Sequence, residues 1–214
     1  MSLVARYLIY MILQILKNMP KMNNITKSFL ADQLKCIEKL SKHEDQIEKI
    51  INLLIKKRDA GNKIFTVGNG GSASTASHFV SDLLKTSITK KNKRFKAISF
   101  VDNLPVILAW ANDVSHADIF VEQLKNFISK GDVIIAFSGS GRSENVVRAI
   151  KYGKKQGAFC IGITGMSGGQ LRKICDMSII VPSNDMLSIE SIHLLLCHCI
   201  VSSIRNDGIP IFKY

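Results

Sequence analysis

The chain has 214 residues, of which 46% are hydrophobic, which is enough for one α/β domain with or without an additional arm. Four prolines and the lack of any low-complexity run argue against a long disordered section. The formal net charge of +12 suits an anionic substrate, a membrane surface or nucleic acid. Because the lysines are dispersed and no aromatic residues alternate with them, we do not expect nucleic acid as a partner.

The first 22 residues contain an apolar run at 3–16 that Arg6 interrupts. This run is too short to span a bilayer, and no small-residue cleavage site follows it, so we expect neither a membrane span nor a signal peptide. An interfacial helix, an oligomerisation arm and a true start at Met22 are all compatible with the pattern. We interpret residues 1–22 as a non-catalytic arm.

The five cysteines show neither a CxxC motif nor the spacing of a secreted disulfide-rich domain. Buried, reduced thiols are typical of proteins in a reducing compartment. The sequence therefore predicts a cytoplasmic protein.

Two amphipathic helices are predicted first, over residues 24–42 and 43–60, and Gly61 ends the second. Alternating strands and helices follow. Five apolar runs rich in Val, Ile or Phe are predicted strands, at residues 64–67, 95–100, 132–137, 158–164 and 177–181. This alternation predicts a parallel sheet covered by helices on both faces. The last helix, 187–205, is apolar almost all round, so we expect a subunit interface or another element to bury it.

A glycine turn follows the first predicted strand, with Asn69, Gly70, Gly71 and Ser72 leading into a helix. Such a turn at a helix N-terminus is typical of a phosphate-binding loop. On that helix His78 and Asp82 lie four residues apart and therefore on one face. A pair of this kind can move protons or hold a metal ion.

A second loop of matching chemistry follows the third predicted strand. It contains Ser138, Gly139, Ser140 and Ser143, and we expect Ser143 to cap the next helix. Because ligands of open parallel sheets bind at the carboxyl ends of the strands, the two loops predict one anion-binding site at a single sheet edge.

These loops, together with Asn112-Asp113 and the segments 164–169 and 190–198, resemble those of phosphoheptose isomerases, within the sugar-isomerase (SIS) superfamily. The resemblance covers roughly residues 24–206. It implies a three-layer α/β/α sandwich with a five-stranded, flavodoxin-like parallel sheet preceded by N-terminal helices. The SIS domain would occupy residues 23–214, with the helices at 24–60 and the α/β core at 62–206.

The resemblance also implies an activity and an assembly. Family members interconvert sedoheptulose 7-phosphate and a heptose 7-phosphate, for lipopolysaccharide or capsule heptose, by proton transfer through an enediol. The product expected here is D-glycero-D-manno-heptose 7-phosphate. Family members form homotetramers with active sites at subunit interfaces, and some hold zinc. No nucleotide cofactor is expected.

The family's functional positions fall on named residues of this chain. The base position falls on Asp82 and the acid position on His198. The zinc-ligand positions fall on His78, Asp82, Glu190 and His198. The substrate and phosphate positions fall on Asn69, Gly70, Gly71, Ser72, Ser138, Gly139, Ser140, Ser143, Asn112, Asp113 and Glu190. At three positions the chain departs from the family, with Asp82 for glutamate, Glu190 for glutamine and Thr86 for arginine.

Several alternatives remain open on the sequence alone. His78 and His198 could be core histidines, and Glu190 with His193 could form a different metal pair. Eight residues, or about 12 Å of helix, separate Glu190 from His198, which argues against one four-ligand site within a single chain. Alternative functions are a non-catalytic SIS protein that binds the replication initiator or senses a sugar phosphate, and an isomerase of another sugar phosphate.

Overall fold

The structure is a computed structural model that describes residues 24–212. The chain divides into two compact units, Met1–Lys35 and Cys36–Tyr214. The described part of the first unit is helical from Asn24 onward. The arm expected at residues 1–22 lies outside the described residues, so its boundary stays a prediction.

The helices and strands alternate along most of the second unit. The helices are α1 (Asn24–Leu40), α2 (Glu44–Asp59), α3 (Gly71–Leu84), α4 (Leu104–Asp113), α5 (Val121–Phe127), α6 (Glu144–Lys155), α7 (Leu171–Ile174) and α8 (Met186–Arg205). The strands are β1 (Lys63–Val67), β2 (Thr89–Lys90), β3 (Lys96–Ser99), β4 (Val133–Ser138), β5 (Phe159–Thr164), β6 (Met177–Ile180) and β7 (Ile209–Pro210). Short 3-10 turns occupy Ser41–His43 and His116–Asp118.

The central sheet has five parallel strands in the order β3-β1-β4-β5-β6. This is the flavodoxin-like order, in which the chain reverses its direction of growth between β1 and β4. The five predicted strands are confirmed, with ends that differ by at most one residue. In addition, β2 and β7 form a small antiparallel pair that the sequence did not predict.

Helices cover both faces of the sheet, which confirms the predicted three-layer sandwich. On one face α2, α3 and α8 pack on strand residues such as Ile64, Ile135 and Phe137. On the other face α5, α6 and α7 pack on residues such as Phe65 and Ile134. Burial on both faces explains why the strands are continuously apolar rather than alternating.

Helix α8 is long and apolar enough to cross a membrane by length and composition alone, but half of its apolar stretch is buried within the protein. Its buried face includes Ile192, Leu196 and Ile200, which lie in the core on the α3 side of the sheet. Its outer face exposes Leu187 and Leu195. Helix α8 is therefore a core helix of the α/β unit, with an additional apolar strip on its outer side.

Candidate active site

The two polar loops meet at the carboxyl edge of the sheet, because β1 and β4 are neighbouring strands. Together they line a cavity of about 250 Å³, which we call the anion cradle. Its lining consists of Asn69, Gly70, Gly71, Ser72, Phe137, Ser138, Gly139, Ser140, Ser143, Met186 and Glu190. The cradle lies at the switch point of strand order, where doubly wound sheets bind their ligands.

The glycine turn at β1 brings backbone amides to the cradle. Gly70 has a φ of 54°, a conformation that residues with a side chain rarely adopt, and it directly precedes α3. The first amides of a helix have no partner within the helix, and the helix dipole is positive at this end. The hydroxyl of the buried Ser72 lies in the same first turn. This end of α3 is therefore suited to an anion.

The serine loop after β4 is held together by its own hydroxyls. The backbone amide of Gly141 donates to Ser138 Oγ at 3.2 Å, and that of Arg142 donates to Ser140 Oγ at 3.3 Å. Ser143 stands at the N-cap position of α6, but its side chain makes no capping hydrogen bond. Its hydroxyl lies 3.4 Å from Ser138 Oγ instead. The expected capping role of Ser143 is therefore wrong, and its hydroxyl lines the cradle.

A pair of asparagines joins the two loops. The side-chain amide of Asn69 donates to Asn145 Oδ1, and that of Asn145 donates to Asn69 Oδ1, each over 2.9 Å. Asn145 is almost fully buried, and its Oδ1 also accepts from the backbone amide of Val146. No role for Asn145 is predicted from the sequence, although a side-chain amide directly after a serine–glycine loop is a signal for one.

Two histidines and one aspartate converge on the outer side of α3 and α8, and we call them the His–Asp–His group. The Nε2 atoms of His78 and His198 lie 2.9 Å apart. Asp82 Oδ2 lies 3.4 Å from His78 Nε2 and 3.7 Å from His198 Nε2. The side chains of His78 and His198 are 46% and 55% exposed, which is not the environment of a core-packed histidine.

The second oxygen of Asp82 has its own partner. Thr86, one turn later, donates a hydrogen bond from Oγ1 to Asp82 Oδ1 over 2.9 Å. The carboxylate is thereby oriented with Oδ2 toward the two imidazoles. The resemblance to the family marks Thr86 only as a departure. Its spacing of four residues from Asp82 is the sequence signal for the contact.

Helices α3 and α8 connect the cradle to the His–Asp–His group. They touch at the cradle, where Glu190 lies against Gly71, and again where His198 meets His78. The seven-residue step from Gly71 to His78 corresponds to about 10 Å of helix, and the eight-residue step on α8 to about 12 Å. The two helices therefore run side by side in the same direction, with anion-binding chemistry at one end and acid–base chemistry at the other.

Glu190 and His193 do not join the His–Asp–His group. Within residues 24–212, the ligand atoms that lie within 4.8 Å of one another belong to His78, Asp82 and His198. Glu190 lines the anion cradle instead, and its separation from His198 agrees with their eight-residue spacing. His193 is fully buried near the ring of Phe137, so the alternative metal pair of Glu190 and His193 is not formed.

Asn112 and Asp113 lie at the end of α4, where the Asn112 amide donates to Asp113 Oδ1 over 2.8 Å. Both side chains are exposed, and neither lines the cradle. Residues that follow them, including Ser115 and His116, line a second cavity of about 450 Å³. This cavity shares Asn69 and Ser143 with the cradle and also includes Glu144. The structure therefore places this segment near the cradle's outer side without bringing Asn112 or Asp113 into it.

The His–Asp–His group has the donor set of an open zinc site. Two imidazoles and one carboxylate are typical ligands of catalytic zinc, with the fourth position left for water or substrate. The three ligand atoms lie within 4.8 Å of one another, and the group is partly exposed. The residues therefore fit a zinc ion held by three protein ligands, without Glu190.

The fold agrees with comparisons to known proteins. The SIS domain family model matches residues 28–165. A phosphoheptose isomerase from Aliarcobacter butzleri is 34% identical over 86% of this chain and 96% of its own length. A probable phosphoheptose isomerase from Thermoplasma acidophilum is 39% identical over 74% of this chain and 88% of its own length.

A solved structure is similar over a comparable share of the chain. A phosphoheptose isomerase from Francisella tularensis superposes with a TM-score of 0.80 and 25% identity, and the match covers 86% of this chain and all of that one. Together, the family model, the relatives and the fold show that the chain belongs to the phosphoheptose isomerase family of SIS-domain proteins.

Proposed function

We propose that this chain converts sedoheptulose 7-phosphate to D-glycero-D-manno-heptose 7-phosphate. The observation that carries the proposal is the pairing of an anion cradle with an acid–base group about 10 Å farther along the same two helices. A substrate with its phosphate in the cradle reaches the His–Asp–His group only if a long carbon chain separates the two ends. A seven-carbon sugar phosphate fits that separation better than a triose phosphate.

The chemistry is a proton transfer between C1 and C2. Binding of the phosphate by the serine and glycine loops holds the reacting carbons beside Asp82 and His198. Because the reacting groups are already in place, the reaction avoids the entropic cost of bringing them together. Asp82 removes the proton from carbon, and His198 moves the hydroxyl proton. The orientation of Asp82 Oδ2 toward His198 supports this division of roles.

Zinc is part of the proposal. His78, Asp82 and His198 would hold the ion, and zinc when bound polarises a carbonyl oxygen. The shorter carboxylate of Asp82, relative to the family's glutamate, lies within reach of both imidazoles, so the substitution does not remove it from the group.

The proposed assembly is a cytoplasmic homotetramer. Leu187 and Leu195 are exposed on the outer face of α8, the helix that carries His198. Leu84 is exposed near the end of α3. An exposed apolar strip beside polar site residues is typical of a surface that another subunit covers. Light scattering of the purified protein tests this, and a monomer at micromolar concentration would contradict it.

Steady-state turnover tests the function. The wild-type protein is expected to isomerise sedoheptulose 7-phosphate faster than a hexulose or pentulose phosphate, while Asp82→Asn and His198→Ala lose activity. Full activity of either variant would contradict its assigned role. A preference for a shorter sugar would favour the alternative isomerase. No turnover, with capture of a replication initiator, would favour the non-catalytic alternative.

A further inference from the structure

The carboxylate of Glu190 lies directly against the glycine turn. A Cβ atom added to Gly71 would overlap both carboxyl oxygens and the carboxyl carbon of Glu190. Gly71 is the first residue of α3, so the carboxylate stands at the end of the helix that also faces the cradle. Only glycine at this position leaves room for Glu190 to approach so closely.

Glu190 is the one charged side chain among the described residues that line the cradle. The other lining groups are hydroxyls, an amide, backbone and two apolar side chains. Arg142 belongs to the serine loop, but its side chain is exposed and does not line the cavity. Glu190 takes part in none of the ion pairs formed by residues 24–212. The described lining of the cradle therefore carries one negatively charged side chain and no positively charged one.

A phosphate in a cavity of about 250 Å³ must lie close to this carboxylate, and two like charges at short range repel. The dipoles of α3 and α6 offset part of this repulsion. A carboxylate also accepts hydrogen bonds and donates none. Sugar hydroxyls beside an esterified phosphate can donate to it, whereas the inorganic phosphate dianion has little to donate.

We propose that Glu190 sets the ligand specificity of the cradle: it disfavours inorganic phosphate and favours a phosphate ester whose neighbouring hydroxyls donate hydrogen bonds to it. The inference builds on the proposed function, because it takes the cradle to be the phosphate site of a sugar phosphate. It adds that the cradle discriminates between ligands, so that free phosphate competes poorly with the polyhydroxylated ester for the same site.

Calorimetric titration of wild type and Glu190→Gln with two ligands tests the proposal. The ligands are inorganic phosphate and glucitol 6-phosphate, a polyhydroxylated ester without a carbonyl group. Removal of the charge is expected to strengthen phosphate binding at least about tenfold, or about 1.4 kcal/mol. The affinity for glucitol 6-phosphate is expected to change less than about threefold, because the loss of hydrogen bonds from its hydroxyls offsets the loss of repulsion from the carboxylate.

The matched control is Glu122→Gln, which changes the net charge equally. Glu122 lies on α5 and pairs with Lys125, and it lines neither the cradle nor the second cavity. The phosphate affinity of this control variant should stay within twofold of wild type. The proposal is overturned if Glu190→Gln binds phosphate no better than wild type, if both ligands gain equally, if the control gains as much, or if neither ligand binds. Because neither ligand is isomerised, this result stands apart from the turnover assay that decides the proposed function.

Discussion

Thr86 donates a hydrogen bond to Oδ1 of Asp82 over 2.9 Å, and this contact leaves Oδ2 facing the imidazoles of His78 and His198. Asp82 has a short side chain, so its carboxylate oxygens have a small range of positions. The hydroxyl of Thr86 is therefore a positioning group for the proposed base.

Replacement of Thr86 by valine keeps the shape of the side chain and removes the donor. We expect kcat to fall about tenfold, equivalent to about 1.4 kcal/mol, because the carboxylate loses its fixed orientation. KM should change little, since Asp82 lies eleven residues, or about 16 Å of helix, beyond Gly71 at the cradle. Steady-state kinetics with sedoheptulose 7-phosphate measure both constants.

Two further variants separate positioning from helix stability. Thr86→Ser retains a hydroxyl and should recover most of the activity. Ser87→Ala removes a hydroxyl at the same end of α3 that donates to the Leu83 carbonyl, so it should leave kcat unchanged. The positioning role would be contradicted if kcat fell equally in Thr86→Val and Thr86→Ser. It would also be contradicted if kcat fell as far in Ser87→Ala as in Thr86→Val.

The amide pair of Asn69 and Asn145 should be needed for both stability and substrate binding. Asn145→Ala breaks two side-chain hydrogen bonds and leaves the Val146 amide without its partner. We expect a loss of about 1–3 kcal/mol in the free energy of unfolding, together with a raised KM. Urea denaturation and kinetics measure the two effects.

Asn126→Ala is the matched control for that variant, because the exposed Asn126 amide donates only to the Glu122 carbonyl. It should leave KM at the wild-type value. If Asn145→Ala lowered stability but bound substrate normally, the pair would hold the loops together without shaping the cradle.

The buried His193 predicts a pH dependence of stability. Neither of its ring nitrogens has a hydrogen-bond partner of ordinary geometry among residues 24–212. Burial lowers the pKa of His193 from 6.5 to about 4, against a smaller opposing effect of the Thr164 backbone. Between these values the unfolded chain binds a proton that the folded protein does not, so stability falls as the pH falls from 6.5 toward 4.

The expected loss from this residue between pH 7 and pH 4 is about 3 kcal/mol. His193→Leu removes the titrating group and should flatten the stability profile by that amount, whatever its stability at pH 7. Denaturant unfolding at several pH values gives both profiles. Parallel profiles for the two proteins would mean that His193 binds its proton equally well in both states.

The strands of the central sheet could be predicted from the sequence because they are buried on both faces and therefore appear as continuous apolar runs. The pair β2 and β7 was missed because a two-residue strand has no periodicity, and its partner lies about 120 residues away along the chain. The link between Asn69 and Asn145 was missed because it also joins residues far apart in the chain. It depends on β1 and β4 being neighbouring strands.

Helix α8 shows what spacing can and cannot predict. His193 and His198 are five residues apart and so project about 140° apart on a helix, which means that they face different surroundings. Spacing alone did not say which of them faces the core; the packing of Ile192 and Leu196 against the sheet decides it. The eight-residue spacing of Glu190 and His198 did predict that they lie apart. Glu190 lines the cradle, whereas His198 belongs to the His–Asp–His group.

The central claim is that Asp82 and His198 transfer a proton between C1 and C2 of a sugar phosphate bound in the cradle. Incubation of sedoheptulose 7-phosphate with the protein in D₂O, followed by NMR, tests it most directly. The wild type should form the aldose with deuterium at C2, because Asp82 and His198 are partly exposed and exchange their protons with solvent. Asp82→Asn should slow both conversion and deuterium incorporation at least about a hundredfold. No conversion by the wild type, or a wild-type rate in Asp82→Asn, would contradict the claim.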